Sequence, residues 1–193
     1  MSSITSRRFE KALEEFHSRC PGVIIELDIG GWEEVLRRLS RQQADLGVAP
    51  ARFFQAEFRY DLLDEEPIGL YCGRTHALFG TAPRRPDLLS NEALIMTGGD
   101  EPDVIARFRL KYGLGRNIAG RAEQLDEAKR LTRLGVGLCF LPEAFAQEDE
   151  KSGELWPLLH TENRFTSEIY LISPPQEQMQ LPAKLFRDGL ISS

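Results

Sequence analysis

Two glycines one residue apart, Gly135 and Gly137, form the motif of this 193-residue sequence that is closest to a known chemical site. A GxG motif is typical of dinucleotide sites, in which a strand leads into the glycines and a helix follows, so that the phosphate lies at the helix N-terminus. Here the order is reversed, because the periodicity predicts a helix before Gly135 and an apolar strand after it. The third glycine is also missing. The motif therefore indicates a structural role.

That structural role follows from the backbone needs of a helix, a strand and a second helix. Gly135 ends the predicted helix, where a left-handed C-terminal cap favours glycine. Residues 136–141 form a continuous apolar run, which is typical of a strand buried on both faces, and Gly137 within it permits close packing of a neighbouring element. Pro142 ends this strand and suits the first turn of the next helix.

Residues that could bind metal or act as nucleophiles are few and scattered. The histidines and cysteines are His17, His76, His160, Cys20, Cys72 and Cys139. Their spacing matches no HExxH or CxxC pattern, and the sequence contains neither GxSxG nor a P-loop. A redox sensor would need two cysteines that can meet, which the predicted positions of Cys72 and Cys139 in two separate strands do not favour. The sequence therefore predicts no metal site, no cofactor and no catalytic centre.

Composition narrows the class of protein further. Apolar residues make up 41% and charged residues 28%, which is ordinary for a globular domain. The net charge of −6 argues against direct binding to a phosphate backbone. No apolar run approaches the ~18 residues of a membrane helix, and charged residues near the start interrupt any signal peptide. Three widely spaced cysteines are typical of a reduced, cytoplasmic protein.

The elements that must position these residues alternate between helix and strand. Periodicity predicts helices at residues 7–19, 32–43, 104–113, 125–135, 143–153 and 181–191. It predicts strands at residues 23–29, 44–50, 57–63, 65–73, 92–96, 136–141, 154–159 and 167–173. The helix–strand–helix–strand order of the first 50 residues favours parallel strands with helical crossovers.

Four stretches, in the right order, resemble the effector-binding (substrate-binding) domain of LysR-type transcriptional regulators. They are "LEEFHSRCPGVIIEL", "LRRLSRQQADLGVA", "EPIGLYCGRTHAL" and "LTRLGVGLCFLP". The second carries Asp45 at the family's usual aspartate position, and the fourth matches the pattern "LVxxGxGIxxLP". The third departs from the family's His-Pro-Leu, because Ala77 replaces the proline.

The resemblance implies an α/β fold of two Rossmann-like lobes joined by two crossover strands, of the type 2 periplasmic-binding-protein-like class. Residues 68–72 and 167–172 would be the crossovers. Lobe I would comprise residues 1–71 and 168–193, and lobe II residues 72–167. The family opens this domain with an "LxIG" strand, which this sequence lacks, and the resemblance therefore implies a chain truncated at its N-terminus. It also implies that the DNA-binding domain lies outside this chain.

The resemblance further implies a ligand site at helix N-termini and strand ends in the cleft between lobes. The residues at the family's contact positions are Ser3, Trp32, Thr97, Pro102, Val104, Gln124 and Leu125. Each has a plainer alternative: helix capping for Ser3, interior packing for Trp32, a surface loop for residues 97–104 and a solvated helix end for Gln124 and Leu125. The sequence leaves both alternatives open.

The function that the resemblance implies is sensing of a small effector, an anionic one among the candidates, to modulate transcription. The expected partners are that effector, further copies of this domain in a homodimer or homotetramer, and DNA through a helix-turn-helix domain of the full-length protein. No membrane partner is expected. The alternative is a solute-binding protein of a transport system, which shares the two-lobe design. An enzyme is a third candidate that no catalytic motif supports.

Overall fold

A computed structural model describes residues 6–50, 53–98, 101–160, 162 and 165–192. The chain divides into two compact units. Within the described residues, unit 1 comprises residues 65–167, and unit 2 comprises residues 6–64 and 168–192. The described part of the chain therefore begins in unit 2, passes through unit 1 and then returns to unit 2.

Helices and strands alternate along most of the chain. The helices are α1 (Arg7–Arg19), α2 (Trp32–Ser40), α3 (Asp103–Tyr112), α4 (Leu125–Arg133), α5 (Glu143–Lys151) and α6 (Leu181–Ser192). The strands are β1 (Gly47–Pro50), β2 (Arg59–Gly73), β3 (Ala93–Met96), β4 (Asn117–Arg121), β5 (Cys139–Pro142), β6 (Leu155–Pro157) and β7 (Phe165–Ser173). The predicted α/β class is confirmed.

The strands form two sheets. The larger has the order β1-β7-β2-β5, and β6 also pairs with β2. The ladders of β1 with β7 and of β2 with β5 and β6 are antiparallel, whereas β3 pairs with β4 in the parallel direction. The two segments predicted to cross between lobes therefore lie in β2 and β7, which are neighbours in the sheet order. The parallel arrangement predicted for the first 50 residues is wrong, because β1 pairs with β7 from the C-terminal part of the chain.

Unit 1 is built around the strand that follows the two glycines. All four residues of β5 are buried, and Leu138, just before it, is buried too. Gly135 has φ +78°, which confirms the predicted left-handed cap. A Cβ added to Gly137 would lie 2.7 Å from the carbonyl oxygen of Ala93, which confirms the predicted close approach of a neighbouring strand.

Unit 2 has two apolar clusters. In the first, α1 and α6 pack together through Phe9 and Leu190, with Leu171 of β7. Trp32 and Leu36 of α2 pack in the second cluster, against β1. A buried ion pair fixes α6 in place, since Nη2 of Arg187 lies 3.0 Å from Oδ2 of Asp61 on β2.

The structure corrects two further predictions and adds one strand. Residues 23–29 form no strand, because no other described segment pairs with them in a ladder. The strands predicted at residues 57–63 and 65–73 are one continuous strand, β2, which runs without a break through Asp64 between them. Strand β4 was not predicted, because its residues are mostly exposed and lack an apolar pattern. Among the described residues, no helix has the length and apolar character of a membrane span.

Candidate functional site

A small pocket lies entirely within unit 1, at the starts of three helices. Its volume is about 30 Å³, roughly twice the space that one enclosed water molecule needs. The residues that line it are Glu66, Ile68, Thr97, Pro102, Ile105, Glu123, Leu125, Phe140, Pro142 and Ser167. We call it the three-helix pocket. Its size suits a single group such as a carboxylate.

The first property of the three-helix pocket is its concentration of helix N-termini. Pro102 is the N-cap residue of α3, Gln124 that of α4 and Pro142 that of α5. None of the three supplies a side-chain hydrogen bond that caps its helix. A helix N-terminus carries roughly half a positive charge and attracts anions. Three of them at one pocket contribute positive potential there without any basic side chain.

Two hydroxyl groups add hydrogen-bonding capacity. Ser167 on β7 is only 5% exposed, and its hydroxyl group has no hydrogen-bond partner among the described residues. Thr97, directly after β3, also lines the pocket, and its hydroxyl group likewise has none there. Both hydroxyl groups are therefore available to donate a hydrogen bond to a bound ligand or accept one from it.

The remaining walls of the pocket are apolar and acidic. Ile68, Ile105 and Phe140 belong to the buried core of unit 1 and form a rigid floor. Glu66 and Glu123 place two carboxyl groups at the pocket. No Lys, Arg or His is found among the described residues that line it.

An ion pair holds the loop that carries Pro102. Nε and Nη2 of Arg109 on α3 each lie 2.6 Å from a carboxylate oxygen of Glu101. This two-bond geometry is the strongest form of such a pair. Since Glu101 directly precedes Pro102, the pair fixes one wall of the pocket to α3.

The structure brings together three of the residues predicted for the site. Thr97, Pro102 and Leu125 all line the three-helix pocket. Val104 packs against the core of unit 1, and Gln124 is an exposed N-cap residue, so neither lines the pocket.

The other two predicted residues are not part of this pocket. Trp32 belongs to unit 2, where its side chain is 2% exposed in an apolar cluster with Tyr60 and Tyr170, an environment that favours the packing alternative. Ser3 lies outside the described residues. Contact of these two residues with a ligand stays a prediction.

Sequence reasoning missed several pocket residues. Glu66 and Ser167 were interpreted only as parts of strands, and Phe140 and Pro142 only as core and strand end. Glu123 lies one residue before the predicted Gln124, and a polar residue ahead of a helix start was the one signal that could have found it. The strand residues Glu66, Phe140 and Ser167 gave no such signal, because they reach the pocket only through the pairing of strands that are distant in the sequence.

The cysteines of unit 1 are buried and unreactive. Burial raises the pKa of Cys72 to about 11 and that of Cys139 to about 12. Among the described residues, no group of three His, Cys, Asp or Glu side chains could hold a metal ion.

Comparison with known proteins then identifies the chain. The family model described as the LysR substrate binding domain matches residues 1–192. The chain belongs to the LysR substrate-binding domain family. The α/β fold is accordingly of the type 2 periplasmic-binding-protein-like class, as predicted.

Two curated relatives of this LysR domain are full-length regulators. The chain is 25% identical to the HTH-type transcriptional activator CmpR of Synechocystis over 199 aligned residues, which cover 100% of this chain and 64% of CmpR. It is 27% identical to the HTH-type transcriptional regulator CbbR of Cereibacter sphaeroides, covering 97% of this chain and 61% of CbbR. The chain therefore spans less than two thirds of the length of these relatives. Both support a regulator, and the comparisons give no support to a transport protein.

Solved structures share the fold at low sequence identity. The regulatory domain of Synechocystis CcmR in complex with 2-PG has a TM-score of 0.81 at 19% identity, covering 97% of this chain and 92% of that one. The effector-binding domain of QuiR in complex with shikimate has a TM-score of 0.83 at 12% identity, covering 97% and 90%. A reduced form of OxyR from N. meningitidis has a TM-score of 0.74 at 12% identity, covering 98% and 91%.

Proposed function

We propose that this LysR domain senses a small effector with an anionic group, and that this group binds in the three-helix pocket. The observation that carries the proposal is the meeting of three helix N-termini, at α3, α4 and α5, in one pocket. Ser167 provides independent support, since it is only 5% exposed and its hydroxyl group could form a hydrogen bond to a ligand oxygen in the pocket.

Each pocket residue has a role in this proposal. The first turns of α3, α4 and α5 stabilise the negative charge, and Thr97 and Ser167 donate hydrogen bonds to it. Pro102 and Leu125 form part of the pocket walls. Ile68 and Phe140, which belong to the buried core, exclude water from the core side of the pocket. The pocket admits only about one such group, so the rest of the effector lies outside it. That CcmR and QuiR were solved with small molecules supports an effector of this size.

The wider role of the protein is also part of the proposal. We infer that units 1 and 2 are the predicted lobes II and I, and that effector binding alters transcription through a helix-turn-helix domain outside this chain. The curated relatives, both HTH-type regulators, support this role. We further propose a cytoplasmic homodimer or homotetramer that catalyses no reaction.

A thermal denaturation screen tests the proposal. Small carboxylates and small neutral aromatic compounds are added to the domain one at a time. A carboxylate that binds should raise the melting temperature as its concentration rises, and at 100 times Kd it should add ~2.7 kcal/mol to the free energy of unfolding. Ser167→Ala should weaken that shift. Ser173→Ala is the matched control, because Ser173 is a buried serine of the same strand that does not line the pocket. If no carboxylate raises the melting temperature, the anionic site is wrong.

A further inference from the structure

Three aromatic side chains of unit 2, Phe54, Tyr60 and Tyr170, are arranged like the three faces of a corner. Their rings lie at interplanar angles of 88°, 85° and 82° to one another, so each ring is nearly perpendicular to the other two. Their centroids are 4.9, 5.4 and 6.3 Å apart. One group within about 6 Å of every centroid can therefore interact with all three rings at once. We call this arrangement the aromatic corner.

The aromatic corner is accessible to solvent and fixed in position. Phe54 is 63% exposed, and Tyr60 and Tyr170 are half-buried at the edge of the apolar cluster that contains Trp32. The backbone N–H of Gln55 donates a hydrogen bond of 3.2 Å to the hydroxyl oxygen of Tyr60, which ties the loop that carries Phe54 to β2. Rings held in this way lose little conformational freedom when a ligand binds.

Two carboxylates beside the aromatic corner carry negative charge. Glu168, two residues before Tyr170 on β7, accepts a hydrogen bond of 2.6 Å from the Tyr170 hydroxyl group. Glu57, on the loop ahead of β2, accepts one of 3.1 Å from the hydroxyl group of Ser40. Both donors are neutral, and neither carboxylate forms an ion pair with any residue that the structure describes. A positively charged ligand would therefore meet complementary charge here.

The hydrogen bond from Tyr170 to Glu168 also makes the ring of Tyr170 a better partner for a cation. This bond, with a smaller contribution from burial, raises the pKa of Tyr170, so the phenol stays a neutral donor at neutral pH. A phenol that donates to a carboxylate is polarised, and electron density moves toward its ring. The face of an aromatic ring is negative and attracts cations.

Three ring faces beside carboxylates favour one class of ligand. A metal ion needs several oxygen ligands around it, which aromatic rings do not supply. A neutral apolar molecule would contact the rings and gain nothing from the carboxylates. An alkylated ammonium group suits both, because it combines an apolar surface with a positive charge.

We propose that the aromatic corner is a further ligand site of this domain, which binds the ammonium group of a small organic cation. Phe54, Tyr60 and Tyr170 contact the cation through their ring faces, and Glu168 stabilises its charge. The site lies wholly within unit 2, so this inference goes beyond the proposed function, which places an anionic group in unit 1.

The test compares choline with 3,3-dimethylbutan-1-ol, its neutral carbon isostere. The two molecules have nearly the same size and shape and differ by one positive charge. Kd is measured for each from the chemical shifts of the aromatic side chains during titration, with sodium chloride added to the alcohol to match the ionic strength. Choline should bind about tenfold more tightly, as expected if several ring faces each contribute.

One pair of variants assigns this preference to the rings. Phe54→Leu keeps an apolar side chain and removes one ring face, so it should reduce the preference for choline at least about threefold. Phe53→Leu is the matched control, because Phe53 is 51% exposed on the same loop and its ring packs against Trp32. It should leave the preference unchanged. Since both positions are exposed, neither variant should prevent folding.

A second pair of variants tests the contribution of charge. Glu168→Gln can still accept the hydrogen bond from Tyr170 but is neutral, so it should weaken choline binding about threefold and leave binding of the alcohol unchanged. Glu177→Gln is the control, because Glu177 is another exposed acidic residue of unit 2 and the substitution removes the same charge. It should not alter choline binding.

Three results would overturn the inference. Equal affinities for choline and the alcohol would mean that the corner is an apolar surface only. Choline that shifts none of the three ring signals at its highest concentration would mean that no site exists there. A preference for choline that persists unchanged in both Phe54→Leu and Glu168→Gln would place the site elsewhere. The three-helix pocket is tested separately, with carboxylates and a variant in unit 1.

Discussion

Residues 136–141 in unit 1 and residues 23–29 in unit 2 are both short apolar runs that follow a helix, yet their surroundings differ. Leu141 is fully buried, and its partner across the ladder is Gly69. Ile24 and Leu27 are 85% and 68% exposed, and among the described residues no strand pairs with them. The difference shows that an apolar run becomes a strand only where another strand offers its edge.

This difference bears on function, because the buried run supports the three-helix pocket. Phe140 of β5 forms part of the floor, and Pro142 begins α5. Gly135 and Gly137 lie at the two ends of the turn before β5. The first adopts a left-handed backbone conformation and the second leaves room for Ala93, so that the run can enter the core. The exposed run in unit 2 positions no residue of that pocket.

The largest expected difference between the two runs is in the cost of losing a leucine side chain. Leu141→Ala should lower the free energy of unfolding by about 2–5 kcal/mol, since it leaves a cavity in the core. Leu27→Ala should change it by less than about 0.5 kcal/mol. Urea denaturation of both variants measures this. A cost above about 1.5 kcal/mol for Leu27→Ala would mean that the run is covered in solution.

A second comparison uses a glycine from each unit. Gly137→Ala should cost about 1–3 kcal/mol, because the new Cβ would lie 2.7 Å from a backbone oxygen of β3. Gly22→Ala, just ahead of the exposed run, meets nothing within 4 Å and should be neutral or stabilising by up to about 1 kcal/mol. Equal effects of both substitutions on the denaturation midpoint would contradict the close approach of β3 to Gly137.

The smallest expected effect is a dependence of stability on alkaline pH. The pKa of Cys139 is raised by burial from an ordinary value of 9.0 to about 12, so its thiol ionises in the unfolded chain before it does so in the folded one. Unfolding should therefore become easier as pH rises through the window from about 9 to 12. The wild type should lose about 1 kcal/mol more than Cys139→Ala between pH 9 and 10.

Leu141→Ala is the control for this pH dependence, because it removes a buried side chain of the same strand that carries no titratable group. Its stability should fall with pH in parallel with that of the wild type, from a lower starting value. Identical profiles for Cys139→Ala and the wild type would mean that the thiol of β5 is not shielded from water.

Local signals in the sequence predicted much of the fold. Gly135 and Pro142 were assigned their backbone roles correctly, because each role depends only on adjacent residues. Gly137 was assigned a close packing contact correctly, but the sequence could not name its distant partner, Ala93. The strand predicted at residues 23–29 was wrong, because the run lacks a partner that composition cannot reveal. Of the residues that line the three-helix pocket, Thr97, Pro102 and Leu125 were named through the family resemblance, and their contact with a ligand stays a prediction. Glu66 and Ser167 were missed, because they reach the pocket only through the pairing of segments distant in the sequence.

The most direct test of the central claim is a map of backbone amide chemical shifts during titration with the small carboxylic acid that raises the melting temperature most. If the anionic group binds at the three helix N-termini, the largest perturbations will fall in residues 103–106, 125–128 and 143–146, with the side chains of Thr97 and Ser167 responding in parallel. They should saturate together with a single Kd. Perturbations confined to unit 2, or none in the first turns of α3, α4 and α5 at saturating acid, would contradict the account.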